Sequence, residues 1–220
     1  MSFQHEHEFE AAPGLPEKLP AGEHILWQGA PDWRQLALHA FHVRKLAIYF
    51  ALMLAAQAAF LQADQQPLIA PLTLSASLAL IALGLLAATA WFSARTTLYT
   101  LTNRRVVMRV GIVLTLSFNL PLRQIAGASL KPHAAGFGDI ALSLQGSGRI
   151  AWAHLWPHAR PWAVRQPQPS LRCIPEAQAL GTLIQQTWQA ANPGVQLRAP
   201  DQAPADSNPE LQGAPRTAAV

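Results

Sequence analysis

The chain has 220 residues, of which 50% are hydrophobic and 13% are charged. Soluble globular domains average about 25% charged residues, so the composition argues against an ordinary soluble protein and favours a membrane component. The formal net charge is +4, and Cys173 is the single cysteine, which excludes an internal disulfide. The N-terminal sequence MSFQHEHEFE has no apolar core, so we expect no cleaved signal peptide.

Two long apolar runs follow an acidic N-terminal segment. The first, residues 46–63, has no charged residue; at ~1.5 Å per residue such a helix spans ~27 Å, close to the hydrocarbon thickness of a bilayer. The second run is strongly apolar over residues 71–92. Because residues 64–70 leave room only for a tight link, the two runs predict a transmembrane helix hairpin.

The cations around this hairpin predict its orientation. Those before the first run are Arg34, Arg44 and Lys45, those after the second are Arg95, Arg104 and Arg105, and the link has no Lys or Arg. Cytoplasmic flanks of membrane helices are enriched in Lys and Arg. We therefore expect both termini in the cytoplasm, with residues 1–45 forming a cytoplasmic segment that includes a helix at the membrane interface.

A ridge of small residues runs along the first predicted helix at four-residue spacing: Ala47, Ala51, Ala55 and Ala59. Such a ridge lets a partner backbone approach closely, which is how helices associate in lipid. Three partners are open: the second helix, a second copy of the chain and another membrane protein. We expect the second helix to cover the ridge, and we also expect a homodimer.

After Ala94 the pattern changes from long apolar runs to short alternating ones, which are typical of half-buried strands. It predicts strands or extended segments over 96–102, 104–111, 112–120, 121–133, 139–145 and 149–155, the last two flanking a glycine-rich turn at 146–148. An amphipathic helix follows over 176–191. Residues 95–191 thus predict an antiparallel β domain closed by a C-terminal helix. Residues 192–220, rich in Pro, Ala, Asp and Gln, predict a disordered tail.

The segment YTLTNRRVVMRVGIVLTLSFNLPLRQIAGASL (99–130) resembles the bacterial pleckstrin-homology (PH)-like domains that follow membrane helix pairs. The stretches GEHILWQGAPDWRQLALHAFHVRKLAIYFA, AWAHLWPHARPW and LRCIP are together similar to the photosynthetic complex assembly proteins of purple bacteria, the PuhB type. This resemblance implies an α+β protein of the bacterial cytoplasmic membrane, with a transmembrane hairpin and a cytoplasmic PH-like domain. It also implies a non-catalytic role in assembling the photosynthetic reaction centre and light-harvesting complex.

No catalytic apparatus is recognisable in the sequence. No glycine pattern matches a phosphate-binding loop, there is no cysteine pair for zinc, and carboxylates between residues 65 and 200 are limited to Asp139 and Glu176. We therefore expect a binding protein that is not an enzyme and has neither a metal nor a nucleic-acid target. Its expected partners are reaction-centre and light-harvesting membrane subunits and membrane lipid.

The stretch HLWPHARPW (154–162) is the strongest candidate for a partner contact. Pro157 disfavours the helix that His154 and His158 would need to share a metal ion. Aromatic and Arg side chains on a stiff backbone are typical interface anchors. The predicted docking strip is therefore Trp156, Pro157, His158, Arg160 and Trp162. In the alternative interpretation, Trp156 packs into the core and the prolines only shape a loop.

Two further groups of residues are each open to two interpretations. His39 and His42, just before the first apolar run, are either interfacial histidines or ligands of a bacteriochlorophyll magnesium, which neutral imidazole binds well. The second interpretation gives an alternative function in pigment binding or delivery. In the second group, Arg104, Arg105 and Arg109 contact either anionic lipid or an acidic loop of a partner. A general lipid-binding PH-like protein is the third functional alternative.

Overall fold

The computed structural model describes Leu15 and residues 18–112, 114–145 and 150–193. Residues 194–220 of the predicted tail, the predicted turn at 146–148 and most of the acidic N-terminus lie outside these residues. In chain order the elements are β1 (Ile25–Gly29), α1 (Trp33–His39), α2 (Val43–Ala63), α3 (Ile69–Thr96), β2 (Leu98–Thr102), β3 (Arg105–Val110), β4 (Leu116–Pro121), β5 (Ile125–Pro132), β6 (Gly138–Leu144), α4 (Trp152–Leu155), β7 (Ser170–Ile174) and α5 (Ala177–Ala191).

The long helices α2 and α3 contain the two apolar runs. Their most apolar windows have mean hydropathies of 1.8 and 2.1, and neither window is buried inside the protein, so both helices are long and apolar enough to cross a membrane. With 28 residues, α3 is ~42 Å long, which exceeds a hydrocarbon core of ~30 Å. Its last turns reach the β domain, and Ala90, Ser93 and Ala94 are buried there.

Three of the four alanines in the ridge of α2 do not face α3; the fourth, Ala47, is half-buried. Ala51, Ala55 and Ala59 are exposed, whereas Leu54 and Gln57 are half-buried and line the groove between the two helices. A row at four-residue spacing advances by about 40° per repeat around a helix, so it winds away from a neighbouring helix. The expectation that the second helix covers the ridge is therefore wrong for Ala51, Ala55 and Ala59. A second copy or another membrane protein stays the predicted partner.

The seven described strands form two antiparallel sheets, in the orders β1-β2-β3-β4 and β5-β6-β7. β1 comes from the segment before the apolar helices and pairs with β2 directly after them, with Trp27 opposite Leu101. The β domain therefore includes chain from both sides of the helix pair. The sequence pattern does not indicate β1, because Ile25, Leu26 and Trp27 are consecutive apolar residues and show no alternation.

The segment 149–155 is not the predicted strand, because residues 152–155 form the short helix α4 and β6 pairs with β7 instead. Leu155 is buried and Trp152, three residues earlier, is half-buried, so one helical face packs inward. The closely spaced apolar residues of this run fit both the helical period of 3.6 residues and the strand period of 2 residues. The sequence pattern does not indicate β7 either, because Arg172 interrupts an apolar run, yet all five residues of this strand are buried.

Residues of both sheets and of α5 build the core of the β domain. As predicted, α5 closes it: Leu180, Ile184 and Trp188 recur at four-residue spacing and are buried. The indole Nε1 of Trp188 donates a hydrogen bond to the carbonyl of Ile125 (2.9 Å). This bond satisfies the polar end of a buried aromatic side chain and ties α5 to the start of β5.

A second buried cluster joins α1 to α3 and β7. Its members include Leu36, Phe41, Ala90, Ala94 and Cys173. The Asp32 carboxylate caps α1 by accepting a hydrogen bond from the Gln35 N–H (2.8 Å), and the Asp32 N–H donates to the carbonyl of Cys173 (3.0 Å). The helix that leads into α2 is thus fixed to the β domain at its first residue.

An ion pair joins Glu23, just before β1, to Arg105 at the start of β3. The guanidinium Nε and Nη2 donate to the two carboxylate oxygens (2.7 and 2.9 Å), and the Thr102 hydroxyl donates to Oε1 (2.8 Å). Burial raises the pKa of the Glu23 carboxyl, but the bonds from Arg105 and Thr102 outweigh it and hold the pKa below its ordinary 4.5. The folded protein therefore favours the charged carboxylate.

We predict that Glu23→Gln lowers the free energy of unfolding by about 1–3 kcal/mol, because it leaves the half-buried Arg105 without its charged partner. In detergent, the Tm of the full-length protein should fall by about 2–4 °C per kcal/mol. Since folding lowers the Glu23 pKa, the contribution is present above pH 4.5 and is lost as the pH falls below that value. Asp64→Asn, at an exposed position, is the control. Equal Tm values for Glu23→Gln and wild type at pH 7 would contradict the prediction.

Candidate functional site

The loop that follows α4 packs against the corner between α1 and α2 and leaves a groove of about 310 Å³ between them. We call this the aromatic groove. Its lining residues are His39, Ala40, His42, Trp152, Trp156, Pro157, Ala159, Pro161, Trp162, Val164 and Arg172. The structure thus brings together two groups that the sequence predicts separately, most of the docking strip and the histidine pair.

Two tryptophans that line the groove are exposed. Trp162 is 96% exposed and Trp156 is 48% exposed. The ring of Phe41 packs edge-on against Trp156, with 5.3 Å between the ring centroids. Arg160 braces the loop, since its Nη1 donates to the side-chain oxygen of Gln168 (3.0 Å). Large indoles on a braced backbone lose little entropy on binding, which suits them to anchor a partner.

His158 lies outside the groove lining and is 1% exposed. The Arg172 backbone N–H donates to the Tyr99 hydroxyl oxygen (3.2 Å), and the same oxygen lies 2.6 Å from His158 Nδ1. The other ring nitrogen, Nε2, lies 3.0 Å from the Thr97 hydroxyl and 3.2 Å from the Ser93 hydroxyl. The loop is therefore fastened to the end of α3 by a continuous hydrogen-bond chain.

Burial lowers the pKa of His158 to about 3, and the charge of Arg172 acts in the same direction. The imidazole is therefore neutral at physiological pH. Of the predicted docking strip, His158 and Pro157 are buried and anchor the loop, while Trp156 and Trp162 stay at the surface. The strip prediction is thus wrong for the side chain of His158, because that side chain is used to fix the loop to α3.

The buried guanidinium of Arg172 lines the groove and connects three segments. Its Nη1 donates to the carbonyls of Pro157 and Ala159 (3.3 Å each), and its Nη2 donates to the carbonyl of His39 (3.4 Å). Its Nε lies 3.0 Å from Asp139 Oδ2. Burial raises the pKa of the Asp139 carboxyl, but the charge of Arg172 is the first of several effects that hold it below its ordinary value. The ion pair is therefore formed at neutral pH.

The two histidines of the groove differ in their surroundings. His39 stacks on His133, with 4.0 Å between ring centroids and 14° between ring planes. Burial lowers the pKa of His39, and the neighbouring His133 adds to this effect, so the ring is neutral at pH 7. His42 is exposed and directly precedes α2, with a left-handed φ of 55°. Both sit where the chain turns into the first apolar helix.

The predicted arginine group, residues 104, 105 and 109, lies outside the aromatic groove. Arg105 is paired with Glu23, and Arg104 Nη2 donates to the carbonyl of Ala21 (3.3 Å). Arg109 is half-buried in β3. Two of these cations thus contact the chain's own N-terminal segment. A contact with lipid or with a partner's acidic loop stays a prediction.

Residues 47–188 match the family model of the bacterial PH domain. This match covers more than half of the chain, and the chain belongs to that family. A Rhodobacter capsulatus protein, described as "Uncharacterized 23.7 kDa protein in puhA 5'region", is 38% identical over 190 residues, which cover 84% of this chain and 89% of that protein. Together the two matches confirm the resemblance to PuhB-type proteins with a PH-like domain. No solved structure matches the chain.

We predict that His158→Ala lowers the free energy of unfolding by at least about 2 kcal/mol, because the buried Tyr99 and Thr97 hydroxyls lose their partner. In the wild type, stability should also rise with pH between about 3 and the ordinary histidine value of 6.5, since the unfolded chain binds the proton that the folded chain excludes. Thermal melts in detergent measure both effects. His154→Ala, an exposed histidine of the same loop, is the control. A His158→Ala variant that melts like this control would refute the prediction.

Proposed function

We propose that the chain is a membrane-integral, non-catalytic assembly factor for the photosynthetic reaction centre and its light-harvesting complex. The observation that carries this proposal is the aromatic groove, a braced surface with exposed Trp156 and Trp162 beside the start of α2. The position of its R. capsulatus relative, in the region 5′ of the photosynthesis gene puhA, supports a photosynthetic role. The groove then serves as the docking surface for an assembling subunit.

We place α2 and α3 across the cytoplasmic membrane, with the β domain on the cytoplasmic side. Arg34 lies over the ring of Trp33 (5.5 Å), and Arg95 lies over the ring of Trp91 (4.6 Å). Tryptophans are enriched at the headgroup level and arginines on the cytoplasmic flank, and both pairs belong to helix segments that adjoin the β domain. The aromatic groove then lies close to the membrane surface, because His42 directly precedes α2.

The proposed mechanism is simultaneous binding at two places on one rigid body. The groove between α2 and α3 is lined by apolar side chains such as Met53, Phe60 and Leu78, and it contacts the transmembrane helices of the client in the lipid. The aromatic groove contacts the client's adjacent cytoplasmic residues. Two linked weak contacts bind more tightly than either alone, so the apolar surface of an incomplete subunit stays covered until its cofactors and partners arrive.

A second candidate function, pigment binding, has one specific observation in its favour. His39 and His42 line the same groove as Trp156 and Trp162, and a neutral imidazole is a ligand for tetrapyrrole magnesium. A volume of about 310 Å³ lies at the lower end of the range for small-molecule sites. The site would therefore hold part of a pigment and leave the rest in the lipid.

The assembly proposal predicts that Trp162→Ala weakens client binding without unfolding the protein. Trp162 is almost fully exposed, so its removal costs little stability, whereas loss of a central tryptophan anchor costs about 2 kcal/mol or more of binding, roughly 30-fold. The measurement is mass spectrometry of proteins that co-purify with the tagged full-length chain in mild detergent, during induction of photosynthesis. We expect reaction-centre subunits with the wild type and a strong reduction with the variant.

Trp33→Ala is the matched control, because Trp33 is also partly exposed but does not line the groove. It should co-purify the same subunits as the wild type. Deletion of the gene should lower the amount of assembled complex without changing the absorption spectrum of what does assemble. Full complex levels in the deletion strain, or unchanged recovery with Trp162→Ala, would overturn the assembly proposal.

The pigment alternative predicts a different readout from the same purification. Bound bacteriochlorophyll would give the isolated protein stoichiometric long-wavelength absorption, and His42→Ala should abolish it. His154→Ala, outside the groove, should leave it intact. Recovery of subunits without pigment supports the assembly factor alone, whereas pigment that depends on His42 identifies a carrier.

A further inference from the structure

Three potential metal ligands from different segments converge next to the aromatic groove. His133 directly follows β5, Asp139 lies at the start of β6, and Cys173 lies in β7. One ligand atom of each lies within 4.8 Å of the other two. The turn that carries His133 is closed by a hydrogen bond from its N–H to the carbonyl of Phe137 (2.7 Å). Strand pairing and a closed turn thus hold all three groups in place.

The cluster contains a buried imidazole nitrogen, His133 Nε2, that is close to Asp139 but has no hydrogen bond among the described residues. His133 Nε2 and Arg172 Nε each lie 3.0 Å from Asp139 Oδ2, yet neither forms a hydrogen bond with any residue that the structure describes. The His133 side chain is 6% exposed and the Asp139 side chain 8%, so bulk water does not compensate. A buried polar nitrogen without a partner is unfavourable. When its proton is on Nδ1, His133 can offer the Nε2 lone pair to a cation, whereas the Arg172 Nε–H is a donor and takes no part in binding one.

We propose that His133 Nε2, Asp139 Oδ2 and Cys173 Sγ form a binding site for a divalent transition-metal cation, of which Zn²⁺ fits best. One imidazole, one carboxylate and one thiol are all donors that zinc accepts. Magnesium and calcium prefer oxygen ligands alone, so the sulfur and nitrogen donors argue against them. A water molecule completes the tetrahedron. The proposal does not depend on the assembly function.

Binding requires a change in the protonation of Cys173. Burial raises the pKa of its thiol to about 12, and the charge of Asp139 adds to this effect, so the thiol is protonated without metal. The metal takes the sulfur lone pair, the S–H bond breaks, and the proton leaves to solvent. The thiolate and the carboxylate then neutralise the two charges of the ion. Arg172 opposes the cation, so the affinity should be lower than that of a closed four-ligand site.

A metal at this position would strengthen the connection between the β domain and the helix pair. Cys173 packs in the cluster that contains α1 and the end of α3, and the ring of His133 carries the stacked ring of His39 at the end of α1. Fixing His133 and Cys173 to one ion therefore also fixes the base of the aromatic groove. The sequence does not indicate this site, because its ligands are far apart and follow no spacing motif.

The test uses the full-length protein in mild detergent, purified without a polyhistidine tag. After loading with ZnCl₂ and dialysis, elemental analysis should give about one zinc per chain. Loading with Co²⁺ instead should give the near-ultraviolet band of a thiolate–cobalt bond. Zinc should raise the Tm of the wild type through binding to the folded state. His133→Gln and Cys173→Ser should each weaken binding about tenfold or more, and Cys173→Ser should also remove the cobalt band.

Two controls separate this site from other histidines. His154→Gln changes an exposed histidine and should bind zinc like the wild type. The double variant His5→Gln/His7→Gln removes the N-terminal pair and should also bind normally. If the double variant loses the zinc while His133→Gln keeps it, the ion is adventitious and the proposal is overturned. Substoichiometric zinc in the wild type, or a cobalt complex without a thiolate band, overturns it as well.

Discussion

The burial of the Arg172 guanidinium is the constraint on which the junction between helices and sheets depends. A buried cation is tolerated only if its charge is paired and its donors find acceptors. Here the charge is paired by Asp139 of β6, and the acceptors are carbonyls of the 157–159 loop and of the end of α1. One charged residue in β7 therefore requires β6, the loop and α1 to meet at one place. Breaking such a pair from one side costs about 3–5 kcal/mol, which makes the arrangement rigid.

A second polar connection fixes the direction in which α3 leaves the β domain. His158, in the loop, contacts the Tyr99 hydroxyl of β2 through Nδ1 and the hydroxyls of Ser93 and Thr97 at the end of α3 through Nε2. Burial also raises the pKa of Tyr99, so both partners are uncharged and no buried charge is left unpaired in this chain of contacts. Because the loop that carries Trp156 and Trp162 is fastened to the helix end, the aromatic groove is held at a set distance from the apolar part of α3. The proposed docking role depends on this fixed position.

The exposed half of the candidate site was predictable and the buried half was not. Tryptophans and prolines concentrated in HLWPHARPW predict a stiff aromatic surface from composition alone, and Trp156 and Trp162 lie on one. The role of His158 was not predictable, because its partners are about 60 residues away in sequence and no periodic pattern marks them. The same holds for Asp139, Arg172 and His133: each reads as an isolated polar residue in an apolar or loop segment. The contact between Glu23 and Arg105 joins residues on opposite sides of the helix pair and was equally hidden.

By itself the sequence determined what depends on local period and composition: two helices long and apolar enough to cross a membrane, the alternating strands β2 to β6, and the closing helix with its stripe of Leu180, Ile184 and Trp188. These elements are predictable because consecutive residues show a side-chain period of 3.6 residues in a helix and 2 residues in a strand. Only the tertiary structure decided the strand added from before the helices, the pairing of β6 with β7, the helix in place of the strand after residue 149, and the side of α2 on which the alanine ridge lies. Each of these features depends on contacts between segments that are distant in the sequence. Burial and charge pairing set the free energy of those contacts, and neither produces a periodic pattern in the sequence.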